Sequence, residues 1–202
     1  MNKWQVKLHN SHAIKFYLET GKKIYEATHT LYFYNRCCFL NIQKNASTSI
    51  EQILKTHTIR SFEKNYYFTV LRDPLQRLKS TFYWNYEQCK WPIQIQGAEL
   101  INFTDCFKDF GFFCHFAPQY LHLKPFENYD IEYFAIDDLQ TLREKLGVAE
   151  INLPRLNKTY PAESIVQEVE DWINTNRSFV DDFLYPDYQL IKRHCGSLLA
   201  RY

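Results

Sequence analysis

Phe39-Leu40-Asn41-Ile42-Gln43-Lys44-Asn45-Ala46-Ser47-Thr48-Ser49-Ile50 changes its hydrophobic period halfway along. Up to Ile42, the residues Cys37, Cys38, Phe39, Leu40 and Ile42 make an apolar run of the length of a buried strand, whereas Ile50, Ile53 and Leu54 recur at helical spacing. The turn between them sits where a strand gives way to a helix. A helix N-terminus carries unpaired backbone N–H groups and about half a positive charge, so phosphate or sulfate can bind there without a broad basic surface. Lys44 adds an ammonium, and Ser47, Thr48 and Ser49 add hydroxyl donors. At an effective dielectric near 20, an ammonium about 4 Å from a unit negative charge gains ~4 kcal/mol, against up to ~2 kcal/mol for the helix end. Lys44 therefore dominates such a site. The plain alternative is a capping box of Thr48 and Glu51 with nothing bound.

A second element of the same kind follows. Residues 66–71 are aromatic and β-branched, as in a strand; Asp73 can then cap a helix and Pro74 can occupy its first turn. Leu75, Leu78 and Phe82 supply the buried stripe, Arg72 stands at the strand end, and Ser80 lies on the helix. A guanidinium binds phosphate through a planar fork that lysine cannot reproduce, and a hydroxyl can complete the shell. For Arg72 alone, an ion pair with Asp73 or another carboxylate is the simpler reading. Two strand-to-helix anion sites in succession make coincidence less probable.

Residues 39–49 resemble the 5′-phosphosulfate-binding loop of sulfotransferases that use 3′-phosphoadenosine-5′-phosphosulfate (PAPS). Phe68-Thr69-Val70-Leu71-Arg72-Asp73-Pro74-Leu75-Gln76-Arg77-Leu78-Lys79-Ser80 is similar to their 3′-phosphate-binding segment. His115-Phe116-Ala117-Pro118-Gln119, then residues 133–142, then Leu153-Pro154-Arg155-Leu156-Asn157-Lys158-Thr159 resemble, in order, later segments of the carbohydrate-sulfotransferase branch. One departure is Gln43-Lys44-Asn45, where Pro-Lys-Thr is commoner; it keeps the lysine and the hydroxyls. The resemblance implies a nucleotide-kinase-like sulfotransferase fold and transfer of a sulfuryl group from PAPS to a hydroxyl or amine, releasing adenosine 3′,5′-bisphosphate, with no metal required. It implies that Lys44 stabilises the leaving phosphate, that Asn45, Ala46, Ser47, Thr48 and Ser49 hold the 5′ end, and that Arg72 and Ser80 fix the 3′ phosphate. Arg155, Asn157 and Lys158 would fold over nucleotide or acceptor, or form a solvated loop.

A base must take the acceptor proton, and histidine titrates closest to neutral pH. Thr56-His57-Thr58 is similar to a histidine segment of the 2-O-sulfotransferase-like branch, and its plain alternative is an exposed histidine favoured by the helix dipole. His115 is the other candidate, with a structural role beside Phe110, Phe112 and Phe113 as its alternative; Glu63 stands behind both.

Strands alternating with helices predict an α/β fold, a three-layer sandwich on a mainly parallel sheet, in one domain: residues 1–35 as an extension with edge strands, 36–202 as the core. Strand patterns at 13–18 and 30–34 flank a turn at 19–22; further on, the patterns predict helices at 100–110, 137–146 (closed by Gly147), 164–173 and 187–199, and a strand at 131–136. Ligands of such sheets bind beyond the carboxyl ends of the strands, where Lys44 and Arg72 emerge.

With 46% hydrophobic residues the chain can fill a core, and 17% aromatics predict a ring-rich one. A net charge of +1 argues against a nucleic-acid surface, so anion handling must be local. No stretch approaches the ~20 apolar residues of a membrane helix and no signal-like segment opens the chain, which predicts a cytoplasmic protein or a trimmed one. Six cysteines lack zinc spacing and read as buried thiols, Cys37 and Cys38 facing opposite sides of their strand. A sequon at Asn45-Ala46-Ser47 falls inside the loop, favouring a compartment without N-glycosylation. The expected acceptor is a glycan or another small hydroxylated molecule. Two rivals are a small-molecule kinase, against which stands the missing Gly-x-x-x-x-Gly-Lys pattern, and a non-catalytic module binding anionic glycans.

Overall fold

The computed structural model describes residues 36–89, 118–151 and 161–196, together with strand backbones at 4–8, 13–16, 23–26 and 29–34. Three parallel strands form its centre: β5 (Cys37–Asn41), β6 (Tyr66–Leu71) and β7 (Ile131–Ala135). On the free side of β5 the chain adds β4 (His29–Tyr34) and β1 (Trp4–Leu8), both antiparallel to their neighbours, giving the order β1-β4-β5-β6-β7. A separate hairpin pairs β2 (Ala13–Phe16) with β3 (Lys23–Glu26). The fold is thus mixed α/β. The N-terminal region supplies the expected edge strands, but they run antiparallel, so only the central three strands are parallel.

Alternation along β5 and β6 divides the interior in two. Cys37, Phe39, Phe68, Val70 and Phe134 face α1 (Ser47–Thr56) and α4 (Leu139–Leu146), packing on Ile50, Ile53, Leu54, Leu142 and Leu146. Cys38, Leu40 and Leu71 face the other way, toward Leu123 of α3 (Gln119–Leu123) and Ile191 of α6 (Arg177–His194). Helices therefore cover both faces, because a strand buried on both sides needs an apolar partner at every position. Cys37 and Cys38 do point to opposite faces, and burial pushes both thiols up, that of Cys38 to about 12. The two remaining helices, α2 (Pro74–Cys89) and α5 (Glu163–Thr175), pack with α6, Phe82 meeting Trp172 at 5.5 Å between ring centroids.

Local signals place several boundaries as the sequence predicts. Asp73 accepts the Gln76 N–H at 2.7 Å, capping α2 directly before Pro74. Asp138 caps α4, and Gly147 ends it at φ 76, a left-handed position where an added Cβ would also press on Arg60 Cβ at 3.3 Å. The last helix is a correction. It begins at Arg177, not 187, and runs through Pro186. A proline inside a helix removes one backbone bond, yet Val180, Leu184, Asp187 and Ile191 keep one continuous buried stripe across it, and that burial outweighs the loss. The helix expected at 100–110 lies outside the described residues.

Phe68, fully buried in the middle strand, stacks on Phe39 at 5.1 Å and meets Phe134 edge-on at 6.2 Å. Phe68→Ala is expected to cost about 3–5 kcal/mol in urea unfolding. A loss below about 1 kcal/mol would show that this ring cluster does not carry the core.

Candidate functional site

Both turns singled out in the sequence leave the carboxyl ends of neighbouring parallel strands, β5 and β6. The first turn is held by two guanidiniums. Arg77 Nε donates to the Gln43 carbonyl at 3.0 Å, and Arg72 Nη1 donates to the Lys44 carbonyl at 3.2 Å. Lys44 and Ala46 both adopt left-handed backbone, at φ 69 and φ 57, although neither is glycine. Such conformations cost of order 1 kcal/mol or more each and persist only where the surroundings impose them. Here the clamped carbonyls are that imposition.

Ala46 is the N-cap of α1, with no side chain capping the helix, and the first helical bond runs from Ile50 N–H to the Ala46 carbonyl. The N–H groups of Ser47, Thr48 and Ser49 therefore precede the helical ladder, as an anion cradle requires. The N-cap is Ala46 rather than Thr48, and Glu51 pairs with Lys55 one turn on. Thr48 is exposed, Ser47 half-buried, and Ser49 buried.

Asn45 points inward. Fully buried, it donates through Nδ2 to the Val70 carbonyl at 2.8 Å and to Gln119 Oε1 at 2.6 Å. Its side chain fixes the turn from beneath, and its backbone N–H donates within the turn to the Ile42 carbonyl at 3.3 Å. The sequon asparagine is consequently out of reach of glycosylation in the folded chain.

Gln119 joins everything. Its Oε1 also accepts the Arg72 N–H at 3.0 Å, and its Nε2 donates to the Arg72 carbonyl at 2.8 Å, so one amide side chain fixes both backbone groups of Arg72 and the Asn45 amide. Behind it, Asp187, 1% exposed, accepts the Gln119 and Tyr120 N–H groups at 2.8 and 2.9 Å. Burial pushes the Asp187 carboxyl up, opposed by the positive charge of Arg77 and by those two N–H donors. Asp73 is shifted the same way by burial, opposed by the Gln76 N–H and Arg72.

Helix α2 lies across the first turn. Arg77 and Trp84, seven residues apart on one helical face, touch Gln43 and Lys44 respectively, the Lys44 ammonium standing 4.9 Å from the centre of the Trp84 ring. Ser80 is one turn before Trp84 and shares that face. Lys44, the start of α1, Arg72 and Ser80 are thereby gathered at one edge of the sheet.

His57 is not gathered there. It is the exposed C-cap of α1, with Nδ1 at 2.7 Å from Thr56 Oγ1. The helix returns antiparallel to β5, so its ten residues carry His57 about 15 Å along the axis, toward the opposite edge of the sheet. Glu63, exposed just before β6, sits at that far edge too, where its carbonyl accepts from Arg36. His115, Arg155, Asn157 and Lys158 lie outside the described residues.

Gln119, Asp187, Arg77 and Trp84 are the functional neighbours that sequence reading missed. Arg77 and Gln119 stood within the quoted segments, but nothing local distinguishes a buried clamp from a surface residue. No protein-family model matches the chain, and neither curated proteins nor solved structures provide a match. No helix among the described residues is long and apolar enough to cross a membrane.

Gln119→Ala removes three bonds and strands the Arg72 and Asn45 partners. A loss of roughly 3 kcal/mol in chemical unfolding is expected, together with faster amide exchange at Arg72; unchanged stability and exchange would show that the latch carries no load.

Proposed function

We propose that this chain is a PAPS-dependent sulfotransferase acting on a hydroxyl or amine, with a glycan hydroxyl as the preferred acceptor class. The observation that carries the reading is the bond between the two turns, Arg72 guanidinium to Lys44 carbonyl. PAPS carries charge at both ends of one nucleoside. A helix start with a lysine on one turn, and a guanidinium with a nearby hydroxyl on the next, match those ends as a pair. A guanidinium has five donors and can hold a carbonyl and a phosphate together.

In this scheme the 5′-phosphosulfate rests on the Ser47–Ser49 amides and the 3′ phosphate on Arg72 and Ser80. The acceptor oxygen or nitrogen attacks sulfur in line with the leaving phosphate oxygen. As the new bond to sulfur forms, the bond from sulfur to the phosphate oxygen breaks and its electron pair stays on that oxygen, where Lys44 meets the growing charge. The acceptor proton passes to a base. Of the two histidines named for that role, His57 is at the wrong end of α1, whereas His115 precedes the anchored Gln119 by four residues, a span of at most about 14 Å. His115 is therefore the proposed base.

Incubation with sulfur-labelled PAPS and a panel of glycan, phenol and amine acceptors tests this directly, with transfer to at least one acceptor expected. Lys44→Ala should lower turnover on the order of 10²–10³-fold, and Arg72→Ala should weaken calorimetric binding of adenosine 3′,5′-bisphosphate by about tenfold or more. Near-normal turnover in Lys44→Ala, or a wild-type chain that neither transfers sulfate nor binds the bisphosphate, contradicts the assignment.

A further inference from the structure

The backbone of Lys44 is fixed at both flanking carbonyls, yet its side chain has four rotatable bonds that these clamps do not reach. Holding such a chain at one place costs up to about 2 kcal/mol of rotamer freedom, a cost that would fall on the transfer step if nothing met it beforehand. Trp84 stands where that restraint is needed. Two residues earlier, Phe82 turns inward and is buried against Trp172, whereas Trp84 is half-buried and presents its ring to the Lys44 ammonium at 4.9 Å. An ammonium over an indole face is attracted by the ring quadrupole, an interaction that does not cancel its charge.

We infer that Trp84 is the positioning residue for Lys44: its indole face holds the ammonium at the cradle before the donor arrives and sets the reach from which Lys44 meets the leaving phosphate oxygen. Trp84 acts through Lys44 and need not touch the donor. Because Ser80 lies on the same face of α2, the helix that seats the 3′ phosphate also aims the lysine at the other end of the nucleotide. This inference rests on the proposed sulfuryl transfer.

The test combines kinetics with a spectroscopic readout that needs no activity. In ligand-free protein the Lys44 ε-methylene resonance, identified by its loss in Lys44→Arg, should be shifted upfield by the indole ring; Trp84→Leu should abolish the shift and Trp84→Phe should keep part of it. At saturating PAPS, Trp84→Leu should lower kcat about tenfold with the KM for PAPS altered less than about twofold, and Trp84→Phe should recover most of the loss. In a Lys44→Ala background, Trp84→Leu should cost nothing further. Wild-type kcat in Trp84→Leu, an equal loss in the Lys44→Ala background, or an unshifted Lys44 resonance each overturns the positioning role while sulfuryl transfer stands. Absence of transfer by the wild-type chain, seen without any variant, overturns the reading beneath it and this role with it.

Discussion

One amide side chain, Gln119, holds the loops that follow two adjacent strands in a single arrangement. Its oxygen receives N–H groups from Asn45 and Arg72, its nitrogen serves the Arg72 carbonyl, and its own backbone is anchored to the buried Asp187 on the last helix. A buried polar network of this kind is favourable only when its members are satisfied together, since each partner left alone in a low-dielectric interior costs more than one bond returns. The arrangement also explains how Lys44 and Ala46 tolerate left-handed backbone without glycine. The turn is shaped by what grips it from outside. The conformational cost is offset by Arg72, Arg77, Asn45 and Gln119, none of which needs to contact a ligand to matter.

That division of labour accounts for what could and could not be read from the chain. Strands β5, β6 and β7, helices α1, α4 and α5, the Asp73 cap and the Gly147 stop are local: their signals lie within a few residues of one another, in periodicity and end chemistry. The latch is not local. Arg72 and Gln119 are 47 residues apart, and no spacing rule links a glutamine after a proline to the backbone of a distant arginine. The left-handed positions were equally silent, because their usual marker is glycine and none is present. Helix α6 was read too short for a related reason: a proline is a strong local stop, but a buried stripe contributed by other elements overrode it. Antiparallel pairing of β1 and β4 depends on which edge of the sheet is open, a property of the assembled fold.

For the site, the two strand-to-helix turns were legible as elements, whereas their neighbours were not. His57 illustrates the difference. Its sequence position between the two motifs suggested proximity, but a helix that returns along a parallel sheet places its C-terminus at the edge opposite its start. Asn45 illustrates the converse, since a residue expected among the donor ligands turns its side chain inward to Val70 and Gln119. Chemistry and scaffold are interleaved residue by residue along this loop, Lys44 outward and Asn45 inward, and the proposed activity depends on both.

The account is tested most directly by a double-mutant cycle between Asn45→Ala and Gln119→Ala, read as unfolding free energy. If the latch binds the turns as one unit, the two losses are strongly non-additive, with a coupling of about 1 kcal/mol or more. Losses that add to within about 0.5 kcal/mol would mean that the turns are fixed independently, and the central claim would fail.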